Sequence, residues 1–552
     1  MYFRTKRTGK YEYAQIVTSF RDSGKVKQEV LLTLGRLDAM KSSGQFDQLI
    51  RSGVRFCERL AVLDAGDRGE SGAARIERIG PDLVFGRLWR ELGFEKILRG
   101  LLEDRRYEFD VERAIYLTVL HRLFVSGSDR QAELWRQDYR IESVGDLELH
   151  HLYRAMAFLG SALGDEAQEG KTPFTPRCVK DLVEERWFDQ RRDLFAEVDV
   201  VFFDTTSIYF EGEGGETIGR RGHSKDHRPD LKQMVVAMVL DKTGRPICCE
   251  MWPGNTTDVT TLIPIVNRLR RCFGVNQICI VADRGMISRK TIAELEKPDT
   301  AWKYILGVRM RRQKEVREEV LGRRGTYEVV HPKGKSFKDP SPLKVKEVWQ
   351  EQRRYIVCLN EDQRKKDAAD RQAILAGLKD QLKQGDKSLV GNRGYRRYLA
   401  CEGEGRFVVD KNKVRDEARF DGKWVLRTNM DLAAAQVALT YKRLWMVEDI
   451  FRTMKSILDS RPIYHKCDET IRGHVFCSFL AVALRRELEE RLEAKGHALE
   501  WKDIIRDVND LLEAHTVFSG KSFAIRSQLK GCVHSVLQAV GVAVPQTVRA
   551  IH

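Results

Sequence analysis

Two short apolar runs that each end at an aspartate constrain the fold of this 552-residue chain most strongly. The first run leads to Asp204 and the second, beginning near residue 277, leads to Asp283. Around them lie further predicted elements, namely strands over 231–240, 246–252 and 302–308, a turn over 241–244 and a helix over 259–273. This order predicts a mixed α/β sheet in which antiparallel hairpins precede parallel crossovers.

The chemistry of the two aspartates indicates a metal site. The predicted sheet order can place the strands before Asp204 and Asp283 side by side. Paired carboxylates suit a hard divalent cation such as Mg²⁺, and two such ions can drive displacement at a phosphodiester. An aspartate after a strand is also a common turn residue, so the pair alone leaves a structural role open.

A third carboxylate lies on a predicted helix near residue 448. Tyr441, Glu448 and Lys455 are seven residues apart, so on a continuous α-helix they share one face. Arg452 lies on the same side, four residues beyond Glu448. On such a face the carboxylate could bind a metal ion, while the two cations and the phenol could contact phosphates. The alternative is a solvated stripe in which Glu448 and Arg452 form an ion pair.

Four sequence blocks in order resemble those of bacterial insertion-sequence DDE transposases. They are DTTSIYFEG (204–212), SKDHRPDLKQ (224–233) followed by PGNTTD (253–258), VADRGM (281–286), and a Y-x2-R-x3-E-x6-K signature around Glu448. The similarity runs from the N-terminal hairpin through 461–465 and 473–474, and therefore covers most of the chain.

The resemblance implies an α/β fold with an RNase H-like mixed-sheet core. It is interrupted by a β-rich insertion before the glutamate and preceded by an N-terminal β-hairpin and a helical domain. In this family two aspartates and one glutamate bind two Mg²⁺ ions, for which Mn²⁺ can substitute. Carried over by position, these carboxylates are Asp204, Asp283 and Glu448.

The signature residues are matched only in part. Tyr441 and Lys455 match the tyrosine and lysine that contact phosphates in the family. The arginine does not match, because Leu444 stands at its position and Arg443 is one residue early. Arg452 is our geometric substitute for it, so the predicted DNA-binding residues are Tyr441, Arg452 and Lys455.

Changes in periodicity and composition predict the domain organisation. The expected segments are a hairpin and linker over 1–80, a helical DNA-binding domain over 81–190, core parts over 191–309 and 431–490, an insertion over 310–430 with a hairpin around 421–423, and a helical C-terminal region over 491–552. Residues 309–354 hold fourteen Lys and Arg against seven Asp and Glu, nearly half the net charge of +15. We expect this surplus to hold DNA. The helical domain is either a helix-turn-helix or purely structural.

The implied function is a DNA transposase that binds terminal inverted repeats, cleaves transposon ends and joins the 3′ ends to target DNA. Its partners would be double-stranded DNA and, on that DNA, a second copy contacted through helices after about 490. The alternatives are a catalytically silent, transposase-derived DNA-binding protein and an RNase H-like nuclease that never joins strands.

Other sequence features exclude membrane and disulfide-stabilised classes. The longest apolar stretch, near 475–484, is shorter than the ~18–20 residues of a spanning helix. Eleven scattered cysteines without a CxxC pair are typical of a reduced cytosolic protein without structural zinc. We therefore expect a cytoplasmic, nucleoid-associated protein without a membrane partner.

Four histidines and two tryptophans received structural interpretations. His223 and His227 are predicted in a loop without metal, and His465 and His474 are predicted to organise the turn after the glutamate helix. Trp349 and Trp424 could stack on an unpaired base, although hydrophobic packing is the favoured interpretation.

Overall fold

The computed structural model describes residues 1–22, 25–54, 75–125, 127–191, 200–275, 278–298, 302–330, 343–384, 395, 397–402, 406–457, 461–518 and 521–551. The chain divides into two compact units. The first comprises Met1–Val84, Gln137–Ile141 and Lys495–His552, and the second comprises Phe85–Arg136 and Glu142–Ala494. Within the described ranges, no helix combines the length and apolarity needed to cross a bilayer.

The strands and helices are numbered in chain order. The strands are β1 Tyr2–Thr8, β2 Tyr11–Asp22, β3 Lys25–Arg36, β4 Arg75–Arg78, β5 Val200–Tyr209, β6 Gln233–Leu240, β7 Pro246–Pro253, β8 Cys279–Ala282, β9 Lys303–Gly307, β10 Glu328–Val330, β11 Leu343–Gln350, β12 Arg353–Asn360, β13 Leu399–Glu402, β14 Arg406–Val409, β15 Lys423–Thr428, β16 Leu512–Phe518, β17 Lys521–Arg526 and β18 Val548–Ile551. The helices are α1 Leu37–Ser42, α2 Gln45–Val54, α3 Arg87–Glu91, α4 Phe94–Leu102, α5 Val111–Phe124, α6 Asp129–Trp135, α7 Leu149–Gly160, α8 Val179–Gln190, α9 Leu262–Phe273, α10 Arg289–Leu295, α11 Glu361–Gln384, α12 Lys411–Ala418, α13 Ala434–Lys442, α14 Trp445–Arg452, α15 Asp468–Ala494, α16 Trp501–Asn509 and α17 Val533–Ala539.

The first unit begins with an antiparallel meander of β1, β2 and β3. Asp22 pairs with Lys25, which confirms the predicted N-terminal hairpin, while its turn residues 23–24 lie outside the described residues. The linker is predicted over 64–80, and its residues 64–74 also lie outside the described residues. The residues that follow, Arg75–Arg78, form strand β4.

The C-terminal region is not wholly helical, and the prediction for 491–552 is wrong in this respect. Strands β16, β17 and β18 join β4 in an antiparallel sheet of order β18-β17-β16-β4. Glu513 in β16 is buried and pairs with Arg549 of β18 at 3.0 Å. The sheet depends on pairing with a strand more than 400 residues earlier, which local periodicity does not reveal.

The second unit is built on a nine-stranded sheet of order β10-β11-β12-β15-β9-β8-β5-β6-β7. Strands β5, β6 and β7 are antiparallel, whereas β5, β8 and β9 are parallel. This arrangement confirms the predicted RNase H-like mixed sheet. The helices α3–α8 before it confirm the predicted helical character of 81–190.

Strands from the predicted insertion extend this same sheet. Strand β15 pairs antiparallel with β9, and β12, β11 and β10 follow beyond it. The hairpin expected around 421–423 is wrong, because β15 pairs with β12 and β9 and helix α12 precedes the turn. Gly422 has a φ of 63° and donates its N–H to Asp367 of helix α11 at 2.8 Å. Gly422 therefore lies in a turn that contacts helix α11, and it does not form the turn of a β-hairpin.

Helices cover both faces of the core strands, since all eight residues of β6 are buried. On one face Phe203 and Val239 pack with Leu262 and Leu269 of α9. Because side chains alternate along a strand, Asp204 points to the opposite face. Helix α14 lies against β5 and β6, and Arg443 just before it lies over the Phe202 ring on that opposite face. The helix that carries Glu448 therefore covers the face of Asp204.

Candidate active site

Asp204 and Asp283 are neighbours at the centre of the sheet. In the parallel pairing of β5 and β8, Phe203 lies opposite Ala282, and each is followed directly by an aspartate. Asp204 remains within β5, whereas Asp283 begins the 3₁₀ turn Arg284–Met286 and accepts from the Gly285 N–H at 3.4 Å. The structure thus brings together the two aspartates that the sequence predicted to be adjacent.

The surroundings of Asp204 make its negative charge unfavourable. Burial, together with the negative charges of Asp283 and Asp258, raises the pKa of Asp204 to about 6 against the opposing charge of Lys225. A divalent cation held between the two aspartates would relieve this repulsion. Their oxygen donors and the mutual repulsion of their charges therefore fit a hard metal ion.

A fourth carboxylate, Asp258, contacts the residue that follows Asp204 and was not singled out from the sequence. Its Oδ1 accepts a hydrogen bond from Thr205 Oγ1 at 2.7 Å. Its Oδ2 lies 3.2 Å from Lys225 Nζ, which also donates to the Thr205 carbonyl at 2.7 Å. The only sequence signal was that Asp258 closes the PGNTTD block and Lys225 lies in the SKDHRPDLKQ block.

The loop of Asp283 is held from the segment after strand β9 and from helix α13. Arg309 donates to the carbonyl oxygens of Arg284 at 3.0 Å and of Gly285 at 2.7 Å. Tyr441 Oη donates to Asp283 Oδ1 at 3.1 Å. Beside the aspartate is a basic pocket whose lining includes Arg284, Arg309, Arg311 and Arg312. The predicted basic segment thus begins next to Asp283.

Tyr441 is half-buried, with its hydroxyl close to Gly307 of strand β9. Burial and the charge of Asp283 raise the pKa of the Tyr441 phenol well above its usual range, so it stays protonated. A β-carbon at Gly307 would lie 2.4 Å from Tyr441 Oη, which makes glycine necessary for this approach. Tyr441 is therefore a hydrogen-bond donor to a carboxylate, whereas the sequence predicted a phosphate contact.

The helix of Glu448 is not continuous, which corrects the predicted single face. Helix α13 ends at Lys442, α14 begins at Trp445, and a π-helical turn follows over Thr453–Ile457. Arg443 at the break donates to the carbonyl of Lys242. A π-helical turn changes the rotation per residue, so steps of 100° no longer place Tyr441, Glu448 and Lys455 in line.

Glu448 and Arg452 lie on the exposed side of α14. The Arg452 side chain is 70% exposed, and its NH1 lies 3.4 Å from Asp449 Oδ1. The alternative Glu448–Arg452 ion pair is therefore not formed. Among the described residues, the three carboxylates Asp204, Asp283 and Glu448 do not form a group with all ligand atoms within 4.8 Å.

Lys455 is buried and paired with a carboxylate. Its Nζ lies 2.8 Å from Asp226 Oδ1, in the loop between β5 and β6. The lysine that was predicted to contact phosphate thus pairs with a carboxylate of the protein.

His465 and His474 were predicted to organise the turn after the glutamate helix, and in the structure they connect that segment to helix α6. His465 Nε2 lies 3.4 Å from Asp129 Oδ2 and 3.1 Å from His474 Nδ1. Burial opposes ionisation of Asp129, but His465 and Arg122 lower its pKa to about 2. Since Arg122 NH2 approaches His474 Nδ1 at 2.9 Å, the group is a hydrogen-bonded network and not an open metal site.

The other histidine and tryptophan predictions had mixed outcomes. Residues 221–230 form a loop, as predicted for His223 and His227, and His227 has a φ of 57°. Trp349 is 56% exposed, so its predicted packing is wrong, whereas Trp424 is half-buried in β15.

Two family models match parts of this chain. The family described as "Transposase DDE domain" matches residues 197–484, more than half of the chain. The family described as "IS1634 family transposase, N-terminal domain" matches residues 3–67. One similar solved structure is a cryo-EM structure of the piggyBac transposase synaptic complex with hairpin DNA, with 12% identity, a TM-score of 0.38 and coverage of 78% of this chain and 79% of that one. No curated protein matches the chain.

The mixed sheet and its paired aspartates, together with the match to the DDE domain, define the class of protein. The chain belongs to the DDE transposase family, whose members are metal-dependent enzymes acting on DNA. With the match at its N-terminus, it is an insertion-sequence transposase similar to those of the IS1634 family.

Proposed function

We propose that this transposase binds the terminal inverted repeats of its element, cleaves the transposon ends and joins the 3′ ends to target DNA. Asp204, Asp283 and Glu448 are its catalytic carboxylates. The observation that carries the proposal is the adjacency of Asp204 and Asp283 on paired strands, with the helix of Glu448 packed against the strand of Asp204.

The same residues would hold the metal ions. Two Mg²⁺ ions, for which Mn²⁺ can substitute, suit the oxygen donors of Asp204 and Asp283. When bound, such ions activate the attacking oxygen and stabilise the leaving 3′ oxygen of a phosphodiester. Tyr441 orients Asp283 through its hydrogen bond, and Arg309 holds the turn that follows Asp283.

The DNA contacts are supported by exposure and charge. Arg452 is exposed on the same side of α14 as Glu448 and is a candidate for the DNA backbone. Arg284 and Arg312 are exposed beside Asp283 and carry charge for neighbouring phosphates. Tyr441 and Lys455 reach phosphates only if their bonds to Asp283 and Asp226 rearrange. The exposed Trp349 ring offers a stacking surface for an unpaired base.

Cleavage and joining at two DNA ends require more than one active site, so we also propose a homodimer on DNA. Helices of the segment after about 490, such as α16 and α17, are candidates for the dimer contact. A cytoplasmic location at the nucleoid, where this DNA lies, belongs to the same proposal.

The test uses the full-length protein, Mg²⁺ and duplexes that carry the inverted repeats flanking its own gene. We expect Mg²⁺-dependent nicking at the repeat ends and joining of the 3′ ends to a target plasmid, absent with a scrambled repeat. Cleavage without joining would favour the nuclease alternative. Repeat binding without cleavage, in Mg²⁺ and in Mn²⁺, would favour the silent DNA-binding alternative.

A further inference from the structure

Two adjacent residues of opposite charge lie in the loop between β5 and β6. Lys225 reaches towards the surroundings of Asp204, with its Nζ 2.8 Å from Thr205 Oγ1 and 3.2 Å from Asp258 Oδ2. Asp226 reaches instead towards the segment that follows Glu448, where it pairs with Lys455 and Arg461. This loop therefore contacts both the residue next to Asp204 and the segment that follows the helix of Glu448.

The Asp226 carboxylate is almost completely enclosed. Its side chain is 6% exposed, and its Oδ1 accepts from Lys455 Nζ at 2.8 Å and from Arg461 NH1. Its Oδ2 is buried and has no hydrogen-bond partner among the described residues. Both cations thus converge on one oxygen of a buried carboxylate.

Lys455 depends on this carboxylate for its place. The Lys455 side chain is 10% exposed, whereas that of Arg461 is 28% exposed. Burial lowers the pKa of Lys455, and the hydrogen bond and negative charge of Asp226 oppose that effect. A buried ammonium without a partner is costly, so loss of Asp226 would displace Lys455.

Lys455 lies in the π-helical turn Thr453–Ile457, which directly follows α14. Its pairing with Asp226 spans 229 residues of sequence and fixes the C-terminal end of the helix that carries Glu448. In the described part of the chain, Glu448 itself is exposed and makes no ion pair that would hold it. The position of Glu448 over β5 therefore rests on its helix.

We propose that Asp226 is a positioning residue for DNA cleavage, which anchors Lys455 and Arg461 to the loop beside Asp204 and thereby sets Glu448 relative to the two aspartates. This inference rests on the proposed function, because positioning is measured through cleavage. Asp226 touches neither DNA nor metal in this role. Its effect reaches the reaction through the placement of Glu448.

The first test compares Asp226→Asn with Asp230→Asn in the full-length protein. Asp230 lies in the same loop and pairs with Arg228, but it is exposed. We expect Asp226→Asn to lower kcat for repeat-end cleavage about 30-fold, since small misplacements of catalytic groups have effects of this order. The KM for repeat DNA should change less than about threefold, and Asp230→Asn should match the unsubstituted protein. An unchanged kcat, or a loss confined to KM, would overturn the proposal.

The second test is a double-mutant cycle with Lys455. If the two residues act as a pair, Asp226→Asn combined with Lys455→Met should be no slower than the slower single variant. Lys455→Arg, which keeps the charge, should retain most of the activity. Multiplying losses, or equal losses for Lys455→Met and Lys455→Arg, would show that Asp226 does not act through the charge of Lys455.

Amide hydrogen exchange makes failure of this proposal distinguishable from failure of the proposed function. Asp226→Asn should speed amide exchange in α14 and the following π-helical turn while leaving β5 and β8 protected. This result does not depend on whether the protein cleaves DNA. Unchanged exchange in α14 would overturn the positioning role even in an active transposase. If the unsubstituted protein cleaves no DNA, the proposed function fails, although the exchange result still reports on the anchor.

Discussion

The two aspartates and the glutamate of the candidate site lie in different kinds of surroundings. Asp204 and Asp283 follow paired residues of parallel strands, and Asp283 accepts a hydrogen bond from Tyr441. Glu448 is exposed on a helix bounded by a turn and by a π-helical turn. Strand pairing therefore sets the positions of the two aspartates. The position of Glu448 depends instead on side-chain contacts at the end of its helix.

The largest expected effect tests whether all three carboxylates serve the reaction despite this difference. Asp204→Asn, Asp283→Asn and Glu448→Gln should each lower repeat-end cleavage by at least about 10³-fold, because each removes a metal-binding charge. Repeat binding in a gel-shift assay should change little. Asp449→Asn, next to Glu448 on the same helix, serves as the matched control and should remain active. A Glu448→Gln variant with normal cleavage would break the comparison by removing the glutamate from the site.

The support of Asp283 predicts the next largest effect. Tyr441→Phe removes a hydrogen bond to a charged group, which corresponds to about 10–100-fold in kcat. Gly307→Ala should produce a similar loss, since its β-carbon would collide with the Tyr441 hydroxyl. Gly377→Ala is the control, because a β-carbon there meets nothing within 4 Å. Full activity of both Tyr441→Phe and Gly307→Ala would show that Asp283 needs no such support.

The raised pKa of Asp204 predicts a pH dependence of metal binding. Since this pKa is about 6, the carboxyl is mostly ionised at pH 7 and mostly protonated at pH 5. A proton then competes with the cation, so Mn²⁺ affinity without DNA should fall about tenfold from pH 7 to pH 5. Isothermal titration calorimetry measures this change. An affinity that stays constant over this interval would show that Asp204 does not titrate there.

The smallest effect concerns the exposed side of the glutamate helix. Arg452→Ala should leave kcat unchanged and weaken repeat binding by no more than about threefold, as expected for one exposed backbone contact. The slope of log affinity against log salt should fall by about one. Lys383→Ala, at an exposed cation with a similar i,i+3 aspartate partner, is the control. A large loss of kcat in Arg452→Ala would place this arginine at the reacting phosphate instead.

The same contrast explains what the sequence could predict. The strands around Asp204 and Asp283 are short apolar runs bounded by turn residues, and their parallel pairing follows from the order of elements. The break at 443–444 and the π-helical turn leave no comparable signal, because they depend on contacts such as Arg443 with Lys242 and Lys455 with Asp226. These two contacts join residues some 200 positions apart in the sequence. The pairing of β4 with β16 joins residues more than 400 positions apart, and it likewise leaves no local signal.

Mn²⁺ binding without DNA, followed by electron paramagnetic resonance, tests most directly whether the aspartates form a preset site and the glutamate completes it. The unsubstituted protein, Asp204→Asn and Glu448→Gln should be compared at pH 7. We expect Asp204→Asn to weaken Mn²⁺ binding at least about tenfold, and Glu448→Gln to change it less than about threefold. Equal losses in the two variants would contradict a preset site formed by the aspartates alone, because Glu448 would then contribute to Mn²⁺ binding without DNA.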